Sequence, residues 1–280
     1  MVTHIKKILI TGTNGFIGKN LFEFYSNNYE VLTHTRNDNL DHILLQKPDA
    51  IINCAADIYD ETNMFESNVK LVYTMIEYVK KTKIKMIQIG SSSEYGRKQY
   101  PSKETDKLEP TTPYEASKGA ASLLSVGYAK YFKLPIVVAR PYSVYGKYEK
   151  SYRLFSSLYN AYKYKKPMTL YEGYHDFIYV KDFIRGLDIL INSNDDKICG
   201  DVVNFGSGIQ TSNTEILQEC KTIFGHIPNC INVDARMVKS FESKTWLCNT
   251  TYAKDVYNFS TKFTLRDGIV DLFKEMELIK

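Results

Sequence analysis

Thr11-Gly12-Thr13-Asn14-Gly15-Phe16-Ile17-Gly18 places glycines three residues apart, between a short apolar run at 5–10 and a segment at 16–24 whose apolar residues Phe16, Ile17, Leu21 and Phe24 recur at helical spacing. This predicts a strand, a tight turn and a helix. In that setting each glycine has its own task. Gly12 permits the turn, Gly15 lets backbone N–H groups approach a pyrophosphate, and Gly18 lets the helix close on the strand. Dinucleotide phosphates would then meet the helix N-terminus, where unpaired amides and the helix dipole favour anions. Gly12, Thr13, Asn14, Gly15, Phe16, Ile17 and Gly18 are therefore cofactor-binding candidates.

Outward from this turn the pattern repeats. Residues 30–35, 50–55 and 85–89 form short apolar runs, 66–80 and 115–132 have helical periodicity, and a fifth run lies at 135–139. Alternating strands and helices with continuously apolar strands predict an α/β fold, a Rossmann-type doubly wound parallel sheet with ligands at the C-terminal strand ends. Beyond Pro141 the rhythm loosens into a helix at 152–164, a strand at 168–171, a segment at 176–190, a strand at 202–205 and a helix at 214–224. The expected organisation is a cofactor domain over 1–141 and a smaller, mainly substrate-binding part over 142–280, interleaved with the sheet.

Composition narrows the function classes. Of the 280 residues, 44% are hydrophobic and 24% charged, the profile of a soluble globular protein. The net charge of +4 is spread along the chain, and its densest run, Tyr162-Lys163-Tyr164-Lys165-Lys166, is expected to be a solvated helix end, not a nucleic-acid surface. Five cysteines without CxxC or Cys/His ligand spacing argue against a disulfide framework and a zinc site. No run approaches the ~18 apolar residues of a membrane helix and no cleavable signal precedes the first strand, so a cytoplasmic location without membrane partners is expected.

The end of the second strand bears on the cofactor. Thr33-His34-Thr35-Arg36 carries no carboxylate before Asp38, so Thr35 and Arg36 would suit a 2′-phosphate, which favours NADP(H) over NAD(H). The competing role for Arg36 is to stack on adenine or face solvent. Tyr114 and Lys118 stand four apart at the start of the long helix, so both project from one face. A free tyrosine, with a pKa of ~10, is a poor base. A nearby ammonium would stabilise the phenolate and could also hold a nicotinamide ribose. A hydroxyl is needed to orient the same substrate oxygen; Ser91, at the end of the fourth strand, is the first choice and Ser92 the second.

These residues together resemble the extended short-chain dehydrogenase/reductase family, in its branch of sugar-nucleotide epimerases, dehydratases and ketoreductases. The matches are TGTNGFIG at 11–18, NCAA at 53–56, GSSSEYG at 90–96, PYEASK at 113–118, RPYSVYG at 140–146, HDFIYVKD at 175–182 and NFGSG at 204–208. The resemblance implies Tyr114 as acid/base with Lys118 as partner, cofactor contacts from Cys54, Ala55, Ala56 and Pro141, and a site after Tyr142 that grips a nucleoside diphosphate. It implies substrate-side roles for Ser93, Ser143, His175 and Arg236, a structural or cofactor-side role for Asn68, and a homodimer built on paired helices. Three departures bear on subtype. Similar 4,6-dehydratases carry an acid where this chain has Ser93; Glu94 is one residue late and should point the other way on an extended segment. Ser143 replaces the family's Asn and His175 its Arg. Dehydration is thus disfavoured, and the expected function is NADPH-dependent reduction of a nucleotide-linked 4-keto deoxysugar. The alternatives are a nucleotide-sugar 4-epimerase with tightly bound NAD, and a non-catalytic NADP-sensing regulator.

Overall fold

The computed structural model describes residues 5–171, 173–233 and 245–279. In chain order, β1 (Lys7–Thr11), α1 (Phe16–Tyr25), β2 (Glu30–His34), α2 (Leu40–Leu44) and β3 (Ala50–Asn53) precede α3 (Glu61–Met64), which runs through a π-helical segment, Phe65–Lys70, into α4 (Leu71–Thr82). Then follow β4 (Lys85–Ile89), a 3-10 turn at Ser92–Tyr95, α5 (Pro113–Phe132), β5 (Ile136–Pro141) and β6 (Ser143–Tyr145). The remainder comprises α6 (Leu154–Tyr164), β7 (Met168–Tyr171), β8 (Tyr174–Tyr179), α7 (Val180–Ile191), α8 (Asp195–Ile198), β9 (Asp201–Phe205), β10 (Gln210–Ser212), α9 (Asn213–Phe224), β11 (Cys230–Val233), α10 (Thr251–Tyr257) and α11 (Leu265–Glu275).

Six strands form one parallel sheet in the order β2-β1-β3-β4-β5-β9, which confirms the expected doubly wound fold. Strand side chains alternate between two buried faces. Ile8, Ile10, Ile52, Ile87 and Val137 face a core shared with α7, whereas Leu9, Ile51, Met86 and Ile136 face Val72, Ile76 and Ala121 of α4 and α5. Burial on both faces explains why these strands are apolar throughout. Because β2 and β3 flank β1 on opposite sides, chain direction switches there and a crevice opens at the C-terminal ends of β1 and β3.

The later part is interleaved as expected: β9 completes the main sheet, while β10-β8-β6 form a small sheet beside it and β11 pairs with β7. The helix predicted over 66–80 starts five residues earlier, and its π segment buries Asn68. The Asn68 side chain accepts from the Asp57 amide (2.7 Å) and donates to the Asp57 carbonyl (2.8 Å) and Ser117 Oγ (2.9 Å). It therefore ties the loop after β3 to α5, and π insertions of this kind are frequent at functional sites.

Candidate active site

The glycine turn is built as its spacing implied. Gly12 adopts φ +68° and its amide donates to the His34 carbonyl at 2.8 Å; a Cβ at Gly18 would lie 2.2 Å from the Gly12 oxygen, so helix and turn close only on glycine. Helix α1 starts at Gly15 with neither a side-chain cap nor an acidic residue in its first turn. Its first amides remain available to an anion, and this cradle fits the pyrophosphate of a dinucleotide.

The turn opens into a cavity of about 1090 Å³ that reaches the C-terminal ends of β1, β3, β4 and β5. Of the sequence-derived cofactor candidates, Gly12, Asn14 to Gly18, Thr35, Arg36, Cys54 to Ala56, Tyr114, Lys118 and Pro141 line it, and Thr13 does not. Ser91, Ser92, Ser93, Ser143 and His175 line the same space. Arg236 lies outside the described residues.

Helix α5 starts with a capping box, in which the Thr112 hydroxyl accepts from the Glu115 amide and the Glu115 carboxylate accepts from the Thr112 amide. Tyr114 and Lys118 therefore sit on a fixed first turn and the one above it. Burial raises the Tyr114 pKa above its usual value; the Ser91 hydroxyl is the strongest influence in the other direction, with Glu94 raising and Arg153 lowering it more weakly. Lys118 donates to the Ile89 carbonyl at 2.5 Å, and its buried ammonium is shifted downward. The picture of a phenol made acidic by Lys118 is thus corrected. In the protein itself desolvation outweighs the charges at Tyr114, so any acidification of its phenol has to come with bound ligands.

The serine turn also differs from expectation. The segment after β4 is a 3-10 turn, not an extended strand: Ser91 accepts from the Ser93 amide, and Glu94 Oε1 accepts from the Ser91 amide at 2.7 Å. Glu94 does point away from the cavity, as anticipated, into a buried ion pair with Arg140 Nε at 2.8 Å. Ser91 Oγ and Ser93 Oγ lie 2.6 Å apart. On the opposite wall Ser143 Oγ is 3.2 Å from His175 Nδ1, and burial lowers the His175 pKa to about 4, so the ring is neutral at physiological pH.

Three features were not anticipated. Arg36 is engaged by Asp57 at 2.5 Å, and Asp38, just past β2, accepts from the Thr35 amide and hydroxyl, each at 2.7 Å. Tyr59 and Tyr152 meet across the cavity, with hydroxyls 2.8 Å apart. Arg153, at the N-cap of α6, pairs with Glu149 at 3.2 Å. Asp57 could have been noticed because it directly follows NCAA; Glu149 and Arg153 stand in a polar stretch without periodicity. Among the described residues no cluster of His, Cys, Asp and Glu could hold a metal ion, and no helix is long and apolar enough to cross a membrane.

Comparison with known proteins shows the family and the fold. The model of the NAD dependent epimerase/dehydratase family matches residues 8–206. An uncharacterized UDP-glucose epimerase of Bacillus subtilis is 25% identical over 208 residues, covering 73% of this chain and 64% of the relative. A dTDP-D-glucose 4,6-dehydratase of Dictyostelium discoideum is 25% identical over 270 residues, covering 77% of this chain and 61% of its own length. The chain thus spans less than two thirds of either relative. The crystal structure of UDP-glucuronic acid 4-epimerase from Bacillus cereus, in complex with UDP-glucuronic acid and NAD, superposes with a TM-score of 0.84 at 25% identity over 97% of this chain and 99% of that one.

Proposed function

Because the chain belongs to the NAD dependent epimerase/dehydratase family, we propose that it oxidises and reduces carbon 4 of a nucleotide-linked sugar and works as a 4-epimerase. The observation that carries this reading is the convergence of Ser91, Tyr114 and Lys118 on the cavity that the glycine turn opens. When bound, the dinucleotide supplies two-electron redox chemistry at the sugar carbon. Ser91 orients the sugar oxygen by a hydrogen bond. Tyr114 moves the proton on that oxygen, giving it to an alkoxide, which is the stronger base, and taking one up from the sugar hydroxyl once Lys118 and the ligands stabilise its phenolate. Lys118, fixed on the Ile89 carbonyl, is placed to hold a ribose and to face the phenolate that forms. Dehydration lacks its base, since Ser93 is a hydroxyl and Glu94 is consumed by Arg140. In this scheme residues 1–141 hold the cofactor and 142–280 mainly the sugar nucleotide, and the implied homodimer would use the exposed Leu123 and Tyr131 of α5.

On the cofactor, the Arg36–Asp57 pair and the Asp38 carboxylate on Thr35 put negative charge where a 2′-phosphate would lie, which supports NAD(H) over the NADP(H) expected from sequence. A second reading, NADPH-dependent 4-ketoreductase, is favoured by the 65% exposure of the Arg36 side chain, since an exposed pair exchanges partners easily. One assay separates them: nucleotide hexoses incubated with enzyme and NAD should give C4 epimers by NMR without net change in reduced-cofactor absorbance. Stoichiometric NADPH consumption with a 4-keto sugar would favour the reductase, and no turnover with either would favour the sensor. Arg36→Ala should alter NADH and NADPH binding alike in the epimerase, whereas a loss confined to NADPH would refute the NAD(H) assignment.

A further inference from the structure

Glu149 is a carboxyl in the wall of the cavity, yet its side chain is 3% exposed and its Oε2 finds no hydrogen-bond partner among the described residues. Its Oε1 is held by Arg153, whose own side chain is 48% exposed. Buried carboxylate oxygens are ordinarily satisfied, so an orphaned one beside a large cavity marks an acceptor kept for a ligand. Its place in the cavity follows from its partner, for the Arg153 charge acts on the Tyr114 phenol and on the His175 ring. The pair therefore shares the part of the cavity that Tyr114 and His175 line. Among the other groups that line the cavity, Ser93, Ser143 and the neutral His175 carry no charge, and Lys150 is solvent-exposed.

We propose that the Glu149–Arg153 pair is a charge filter in the sugar-binding part of the cavity, admitting nucleotide-linked sugars with a neutral C5 substituent and turning away uronic acids. This rests on the nucleotide-sugar reading above and adds the sugar class. A hydroxyl can donate to Glu149 Oε2, completing its hydrogen bonding. A carboxylate in the same place would meet Glu149 head-on, while Arg153, already paired, has little charge left to offer it. Burial raises the Glu149 pKa to about 7, with Arg153 and the Ser156 amide offsetting part of that rise, so at pH 8 the carboxylate form, the one that turns away a uronate, prevails.

The probes are UDP-glucose and UDP-glucuronic acid, titrated into the NAD-loaded protein at pH 8 by calorimetry. The wild type should bind UDP-glucose about 10-fold or more tightly than the uronic acid. Glu149→Gln keeps the shape and an acceptor while removing the charge. It should hold UDP-glucose within about 3-fold and tighten UDP-glucuronic acid by about 10-fold, collapsing the ratio. Arg153→Gln removes the charge that keeps Glu149 ionised, so its carboxyl takes up a proton and the preference for UDP-glucose should shrink at pH 8, which covers a Glu149 variant that does not fold. A wild type preferring the uronic acid, an unchanged ratio in Glu149→Gln, or equal weakening of both ligands would overturn the filter, the last by reducing Glu149 to a prop for Arg153. Binding of neither ligand by the wild type would remove the nucleotide-sugar reading and the filter with it.

Discussion

Glu94→Gln tests how Ser91, the serine proposed to orient the sugar oxygen, is held. The Glu94 side chain is fully buried and that of Arg140 is 4% exposed; besides their 2.8 Å contact, Glu94 accepts from the Ser91 amide, and Arg140 donates to the Tyr95 hydroxyl at 2.9 Å. Tyr95 in turn donates to Asn204 Oδ1 at 2.8 Å, so one network joins the serine turn after β4 to β5 and β9. Glutamine preserves volume and can still accept from the Ser91 amide, but it turns an N–H toward Arg140 and leaves a buried guanidinium unpaired. Removing one partner of such a pair destabilises by about 3–5 kcal/mol. At about 2.1 cal/mol/K of unfolding entropy per residue, 280 residues give roughly 590 cal/mol/K, so Tm should fall by about 5–9 °C. Calorimetry of Glu94→Gln, Arg140→Met and the double variant checks this, and the double should lose about 2–3 kcal/mol less than the sum of the singles. If Glu94→Gln melts within about 2 °C of wild type, the pair is not what anchors the turn.

Tyr114→Phe should lower kcat by about 10²–10⁴-fold with dinucleotide affinity near wild type, measured by single-turnover absorbance and fluorescence titration; near-normal turnover would reassign the acid/base. Stability should depend on pH through Glu149, whose carboxyl loses its proton at about 4.5 when unfolded and at about 7 when folded. The folded state holds that proton more tightly, so its contribution is complete below pH 4.5 and disappears as pH rises through 7, about 3 kcal/mol in all. Denaturant titrations from pH 4.5 to 8 should show a shallower decline for Glu149→Gln, and parallel curves would remove the buried-acid assignment.

The parts legible in the sequence are those where one local rule suffices. Ile8, Leu9 and Ile10 are apolar in succession because a parallel strand buries both faces, and Gly12 and Gly18 are required by a positive φ and a 2.2 Å approach. Such constraints operate within a few residues, so their spacing discloses them. The three-residue strands β6 and β10 lack that periodicity and exist only through pairing with β8. Ser91-Ser92-Ser93-Glu94 reads as an extended segment when only its position after β4 is considered. Ser-x-x-Glu is also a capping-box pattern, and reading it so would have turned the segment into a short helix and sent Glu94 toward its own backbone.

Protonation was hardest to read, because it depends on what surrounds a side chain more than on its neighbours in sequence. A helical i, i+4 spacing put Lys118 near Tyr114, and from spacing alone the ammonium should acidify the phenol. In the folded protein Lys118 is spent on the Ile89 carbonyl and burial acts on both groups, raising one pKa and lowering the other. Both shifts run against the charged forms, so burial opposes a phenolate–ammonium pair while the cavity is open. Ligands that exclude water strengthen every remaining interaction, so in the proposed mechanism the same two side chains would act as a proton relay once a sugar oxygen and ribose hydroxyls stood between them. On that proposal, acidity at Tyr114 would belong to the ternary complex. A phenol titration followed by ultraviolet difference spectroscopy should accordingly show a high pKa for the protein alone and a lower one with dinucleotide bound. Equal values in the two states would mean that the relay is not assembled by its ligands.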